Sequence, residues 1–344
     1  MRLPDVIRDE EQLEDVLCSP SDALVASERG RRGRTLVIGA GGKMGGSLVG
    51  RLFRAIQKAG SSSEIVCASR FSDECAERAL GRLGVQTIRA DILDPGVIDD
   101  LPDADRVVYM AGRKFGTTGS EADTWALSSL PPAGICRRFA GVPVVALSTG
   151  SVYGFSPAES GGAVEAAPLE PRGEYANAAV ARERVLEWAS KQYGSPVCLI
   201  RLFYANDLRY GVLRDIADSV LSGDPVNLSM GSVNLIWQGD AVDQCLRAFD
   251  HATTPAIALN ITGPETISVR YLGERLGDLL GKEPVFEGAE SGTALLGNAT
   301  RAAGLFGYPE VPLDRMIRWT AAWVAAGGRG LGKRTLWEHR NGRY

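Results

Sequence analysis

The chain has 344 residues, enough for one large domain or two smaller ones sharing a core, and its 44% hydrophobic and 23% charged residues exclude a disordered or fibrous protein. A formal net charge of −4, with no basic block beyond short clusters such as Arg31, Arg32 and Arg34, excludes nucleic acid as an expected partner. The acidic opening MRLPDVIRDEEQLEDVL has no apolar leader core and no apolar run reaches the ~20 residues of a membrane span, so a cytoplasmic protein without membrane contact is expected.

In chain order, residues 1–33 read as one or two amphipathic helices that serve packing or oligomer contact. From Arg34 the pattern changes. Short β-branched runs alternate with helical patterns, as in βαβ units on a parallel sheet. Strands are predicted at TLVIGA (Thr35), EIVCAS (Glu64), VQTIRA (Val85), RVVYMAG (Arg106), PVVALSTG (Pro143) and PVCLIRLF (Pro196), with runs apolar enough to be buried on both faces. Helices are predicted over Met44–Ala59, Asp73–Leu83, Thr124–Phe139 and Tyr175–Tyr193. The expected fold is therefore α/β, a doubly wound parallel sheet. Residues 34–203 form the dinucleotide-binding domain, and 204–330 a smaller substrate-binding and capping region. Within that region a short strand near Val226 and ALNIT at Ala258 accompany helices at Val212–Leu221, Val269–Leu280 and Leu313–Ala326. In the tail, 331–344, the Asn341-Gly342 pair predicts a hairpin. Six cysteines without CxxC spacing read as reduced core residues. The two histidines, His251 and His339, read as surface residues, and no metal site is expected.

The segment GAGGKMG follows the first strand and opens a helix. Gly39 permits the tight turn, Gly42 lets backbone N–H groups approach a pyrophosphate, and Gly45 lets helix and strand pack closely. With Lys43 and Met44 between them, these glycines are the expected phosphate-binding residues at the positive end of a helix. The second strand ends in CASRFS, so Ser69 and Arg70 stand where an acid would grip the ribose hydroxyls. That pair favours NADP, and NAD is possible if Arg70 only stacks on adenine. Asp91, after the third strand, is placed to reach the adenine amino group.

Together with MAG (Met110–Gly112), LSTGSVYG (Leu147–Gly154), RLF at Arg201 and LNITGPETISVRYLGERLGDLLGK from Leu259, the glycine segment resembles the extended short-chain dehydrogenase/reductase family, which includes nucleotide-sugar epimerases and dehydratases. The similarity runs from Thr35 to Val324. It implies a Rossmann fold with Ala111 and Gly112 beside the cofactor. It also implies action on a hydroxyl or carbonyl of a sugar-like or polyoxygenated small molecule, and a homodimer is expected. In the family, YxxxK sets a tyrosine and a lysine one helical turn apart, and a Ser or Thr on the neighbouring strand bonds the same substrate oxygen. Tyr175 matches the tyrosine, Thr149 the hydroxyl, and Glu183 an acid often found later on the helix. Ala179 stands at the lysine position.

A phenol without a neighbouring ammonium titrates near 10, and a tyrosinate mechanism would slow by roughly a hundred- to a thousandfold at neutral pH. Three readings follow: another cation substitutes; the enzyme uses bound cofactor with the phenol acting mainly as a hydrogen-bond donor, as in carbonyl reduction or in a non-redox isomerase or cyclase; or the fold is a cofactor-binding scaffold without turnover. Lys114, in the loop after the fourth strand beside Arg113, is the candidate substitute; solvated loop charge is the alternative. The arginine that grips a nucleotide diphosphate in the family is missing near Val233 and Asn234. Either Arg209 or Arg214 rebuilds that site, or the substrate is smaller. Trp237 is read as core, with the floor of a sugar pocket as the other reading.

Overall fold

A computed structural model describes residues 3–343, so the first two residues of the extension and the last of the tail lie outside the described residues. The extension folds as α1 (Glu10–Leu17) and α2 (Asp22–Glu28), whose capping carboxylate and hydroxyl, Asp9 and Ser21, accept from the Gln12 and Leu24 amides. Ser21 also donates to Asp243 at 2.7 Å, and Arg51 reaches the same carboxylate at 3.0 Å. This ties the extension to the main body.

The alternating part runs β1 (Arg34–Ile38), α3 (Gly45–Ala59), β2 (Glu64–Ser69), α4 (Glu74–Arg82), β3 (Gln86–Arg89), α5 (Pro95–Asp99), β4 (Arg106–Tyr109), α6 (Glu121–Ser129), α7 (Pro131–Arg138) and β5 (Val144–Thr149). A short β6 (Ser156–Pro157) precedes α8 (Gly173–Tyr193) and β7 (Val197–Leu202). Thereafter come β8 (Tyr204–Asn206), α9 (Val212–Ser222), β9 (Val226–Asn227), β10 (Ser232–Val233), β11 (Leu235–Trp237), α10 (Gln238–Arg247), β12 (Ile257–Ile261), β13 (Ile267–Ser268), α11 (Val269–Leu280), β14 (Phe286–Glu287), β15 (Thr293–Ala294), α12 (Thr300–Phe306) and α13 (Leu313–Ala325).

Seven parallel strands form the main sheet in the order β12-β7-β5-β4-β1-β2-β3. The chain moves outward from β1 to β3, then returns to β4 on the other side of β1. A crevice opens at that reversal, beyond the carboxyl ends of β1 and β4. Strands β1, β4 and β5 are almost wholly buried, as their apolar runs require, while β3 at the edge is half-exposed.

Four expectations are corrected, the last at Cys75, expected from the sequence to be a core residue. The helix predicted over Thr124–Phe139 breaks into α6 and α7, because Pro131 and Pro132 have no N–H to continue the ladder. β12, read from ALNIT within the capping region, joins the main sheet beside β7. No hairpin forms among residues 331–343. The tail instead runs as an irregular strap whose polar groups are taken by distant partners: Asp215 accepts from the Thr335 amide at 2.8 Å, and the Arg340 guanidinium donates to the Thr293 carbonyl at 2.7 Å. Trp337 is buried in the same apolar cluster as Leu213, Ile216 and Trp319, and Gly342 lies backbone to backbone against Arg172 and Gly173. Trp237 packs on Trp319 at 5.3 Å between ring centroids and is 1% exposed, which is the core reading. Cys75 is exposed, whereas the other five cysteines are buried, and none is disulfide-bonded.

Candidate active site

The crevice holds two adjoining cavities. Gly39 has φ 90°, and a side chain there would meet the Ala111 amide at 2.7 Å; one at Gly45 would strike the Ala40 carbonyl. The Gly39 amide bonds the Ala68 carbonyl at 2.7 Å and the Met110 amide bonds that of Ile38 at 2.9 Å, so the turns after β1, β2 and β4 are fastened together. The outer cavity, about 260 Å³, is lined by Gly39, Gly42, Ser69, Arg70, Asp91 and Ala111 among others. Arg70 is exposed and has no carboxylate partner among the described residues. Asp91 is held at the rim by accepting from the Leu93 amide at 3.1 Å. No side chain caps α3, which leaves its first turn able to receive an anion. The donors, the space and the closely approached backbone fit an NAD(P) dinucleotide.

The inner cavity, about 310 Å³, shares Gly42, Met110 and Gly112 with the outer one. Thr149 from the end of β5, Tyr175 from the first turn of α8, and Lys114 from the loop after β4 all line it. Thr149 Oγ1 stands 3.2 Å from both the hydroxyl and the amide of Ser151. Lys114 Nζ donates to the Thr335 carbonyl at 3.2 Å. Burial pushes the Lys114 pKa down to about 8, against the opposing pull of Asp215 and Glu338. Lys43 and Met44 line this inner cavity and not the outer one, so their side chains sit apart from Ser69 and Arg70. The Lys43 ammonium rests 3.7 Å from the centroid of the Tyr210 ring. Although Lys43 is exposed to the cleft, the protein around its ammonium pushes its pKa down to about 7; Asp207 opposes the shift and Lys114 adds to it.

Behind the cavity lies a buried network. Ser148 donates to Glu183, Arg201 pairs with Glu183 at 2.7 Å and donates to the Tyr153 hydroxyl at 2.7 Å, and Tyr153 donates to Asn260 at 2.9 Å. Glu183 therefore faces Arg201, which sequence reasoning saw only as part of a motif. The available signal was a basic residue inside an otherwise apolar strand, which burial obliges to find an acid. Ala179 is 1% exposed and belongs to the apolar cluster that includes Val152 and Phe203.

The alternative phosphate sites are not formed. Arg209 is held by Asp207 at 2.8 Å, Glu10 at 2.9 Å and Glu14 at 2.7 Å; Arg214 is held by Asp218 at 2.7 Å and the Gly328 carbonyl at 3.0 Å. Arg113 forms a surface pair with Asp123 at 3.2 Å. A larger cavity, about 660 Å³, lies between α9 and tail residues 334–341 and contains none of the candidate residues. Among the described residues no cluster of His, Cys, Asp and Glu is arranged for a metal, and no helix is long and apolar enough to cross a membrane.

A family model described as the NAD dependent epimerase/dehydratase family matches residues 35–261. No curated protein matches. Among solved structures, UDP-glucuronic acid 4-epimerase from Bacillus cereus, in complex with NAD, superposes with a TM-score of 0.69 at 19% identity, covering 85% of this chain and 96% of that one. UDP-glucose 4-epimerase from Thermotoga maritima, with UDP-glucose, gives 0.70 at 20% identity, covering 85% and 98%. The Bordetella bronchiseptica enzyme WbmG, in complex with NAD, gives 0.69 at 20% identity, covering 89% and 98%.

Proposed function

The chain belongs to the NAD dependent epimerase/dehydratase family, and from that premise we propose that it is an NADP-preferring oxidoreductase or epimerase acting on a hydroxyl or carbonyl of a polyoxygenated small molecule. One observation carries this reading: Thr149, Tyr175 and Lys114 line a single cavity that opens onto the one lined by Ser69, Arg70 and Asp91. A bound dinucleotide, held by the residues that line the outer cavity, would supply a hydride acceptor or donor.

The Tyr175 phenol exchanges a proton with the reacting oxygen, and the Thr149 hydroxyl bonds that oxygen and fixes its position. Lys114 replaces the family lysine from the opposite side. Its ammonium supplies a positive charge on the wall of the same cavity, which stabilises negative charge that develops on the reacting oxygen, and its flexible stem lets it reach that oxygen. Ser69 and Arg70 offer a hydroxyl and a guanidinium to a 2′-phosphate. The engaged states of Arg209 and Arg214, together with an inner cavity of only about 310 Å³, support a substrate smaller than a nucleotide sugar.

The test is NADPH consumption with a panel of polyhydroxylated aldehydes and ketones, together with NMR detection of epimerised product, which forms without net NADPH consumption, both repeated with Tyr175→Phe. Turnover that survives in Tyr175→Phe would overturn the assignment of the site. Ala179 favours a second reading, a cofactor-binding scaffold; tight NADPH binding with no turnover on any carbonyl would favour it over the first.

A further inference from the structure

The buried arginines among the described residues are Arg51, Arg106, Arg182 and Arg201. A charge taken out of water needs a partner, and three of them have a buried acid of their own. Arg51 faces Asp243 at 3.0 Å, Arg106 faces Glu28 at 2.8 Å and Arg201 faces Glu183 at 2.7 Å. Arg182 is different. It is 6% exposed, yet among the described residues no carboxylate lies within ion-pair reach of it. Its guanidinium donates only to neutral groups, from Nη1 to the Leu147 carbonyl at 2.9 Å and from Nη2 to the Ser128 hydroxyl at 3.1 Å. Its Nε is buried without a hydrogen-bond partner, and so is the hydroxyl of nearby Tyr109. Burial pushes that phenol up to about 12, so it stays neutral and gives Arg182 no counter-charge.

The unpaired charge stands against the crevice. Arg182 lies on the same face of α8 as Tyr175, two turns and about 10 Å further along the axis. Its guanidinium comes up behind Gly112, where a methyl group would meet Nη2 at 2.7 Å, so the glycine is what allows this approach. Gly112 lines both the inner and the outer cavity, as does Gly42 of the glycine-rich turn. Leu147, whose carbonyl Arg182 holds, lines the inner cavity, and Leu127, next to Ser128, lines the outer one. Arg182 itself lines neither. A positive charge therefore sits behind the wall that the two cavities share, one glycine away from them. Across so thin and dry a wall, attraction for an anion in the crevice is only weakly screened.

We infer that Arg182 is the buried counter-charge for the diphosphate of the dinucleotide, acting from behind Gly112 on the anion that the glycine-rich turn receives in front of it. The inference rests on reading the crevice as a dinucleotide site. Its role differs from that of Ser69 and Arg70, which address a 2′-phosphate carried by NADP alone, whereas the diphosphate is common to NADP and NAD. Arg182 is a positioning residue: it acts on affinity through charge and touches no reacting atom. In the free protein the cation stands unpaired, and the bound cofactor offsets that cost.

Calorimetric titration of NADPH, NADH and ADP-ribose into the wild type, Arg182→Gln and Arg182→Lys, with melting curves of the cofactor-free proteins, tests this directly. Glutamine keeps a donor for the Leu147 carbonyl and removes the charge; lysine keeps the charge. Arg182→Gln should weaken all three ligands by a similar factor, at least about tenfold, and Arg182→Lys by less than about threefold. Without cofactor, Arg182→Gln should melt within about 3 °C of the wild type or above it, because the charge it loses has no partner there.

Unchanged affinity in Arg182→Gln overturns the proposal, as does a loss confined to NADPH, which would assign Arg182 to the 2′-phosphate. Equal weakening by glutamine and lysine overturns it too, since shape and not charge would then matter. Collapse of Arg182→Gln in the absence of cofactor has the same force, because the guanidinium would then serve the fold. A wild type that binds the three ligands but turns over no substrate counts against the oxidoreductase reading and leaves this inference standing. A wild type that binds none of them overturns both.

Discussion

Position 179 presents only a methyl group to the core, and the proposed chemistry draws its positive charge from a loop instead of the helix. Lys114→Met should therefore lower kcat about as much as Tyr175→Phe. Since burial holds Lys114 down to about 8, the ammonium is lost as pH rises through that value, and kcat/KM should fall above about pH 8. Lys114→Arg should remove that decline, because a guanidinium stays charged. Profiles from pH 6 to 9.5 check both statements; a wild-type profile flat to pH 9.5 contradicts the role. At the other end of the crevice, Arg70→Ala should erase most of the preference for NADPH over NADH and leave NADH affinity nearly unchanged, as read by titration of both cofactors. The places of Thr149, Tyr175 and Arg70 on the cavity walls were legible in the sequence because each sits at a fixed offset from a strand or helix end. The inward course of Lys43 was not. Its direction depends on Tyr210, which is distant in sequence and meets Lys43 only in the folded structure.

The element that places Tyr175 is α8, and it is pinned to β5 and β7 through Ser148, Glu183 and Arg201. The Arg201 and Glu183 side chains are 5% and 0% exposed, so removing one partner strands a buried charge. Arg201→Met should cost ~3–5 kcal/mol in denaturant unfolding, and adding Glu183→Gln should recover part of that loss. A second titratable group is Asp240, in the first turn of α10, whose carboxylate accepts from the Val311 amide at 2.9 Å. Burial raises its pKa to about 7, more than that bond and nearby Arg51 lower it. The folded state then binds more protons than the unfolded state between about pH 4 and 7, so this group's contribution to stability falls as pH rises through that window. Asp240→Asn should raise Tm at pH 8 and leave it nearly unchanged at pH 4. The strands were readable because both faces demand apolar side chains. The break between α6 and α7 was also present in the sequence, as two adjacent prolines, but helical periodicity across it masked the interruption.

Over the whole molecule, the alternation of strand and helix was enough to give the doubly wound sheet and the location of its crevice, because connection rules leave few other arrangements. The contribution of residues 331–343 was not readable. Their partners, Asp215, Lys114 and Thr293, are distant in sequence, and no periodic pattern signals such contacts. A chain stopped at residue 332 should keep its affinity for NADPH, since no tail residue lines the outer cavity. It should lose turnover, because Thr335 lines the inner cavity and anchors Lys114. Parallel cofactor titration and kinetics would show this split, and loss of both together would contradict it. The position of that strap also sets an order of assembly during synthesis. The last strand of the main sheet ends at Ile261, and Thr335 emerges 74 residues later. At ordinary ribosomal speed that interval lasts roughly 4–15 s. During it the outer cavity of a nascent molecule, whose lining ends at Leu127, can already be formed while the inner one still lacks the wall that Thr335 provides, so on the proposed reading a newly made chain takes up cofactor before it can act on a substrate.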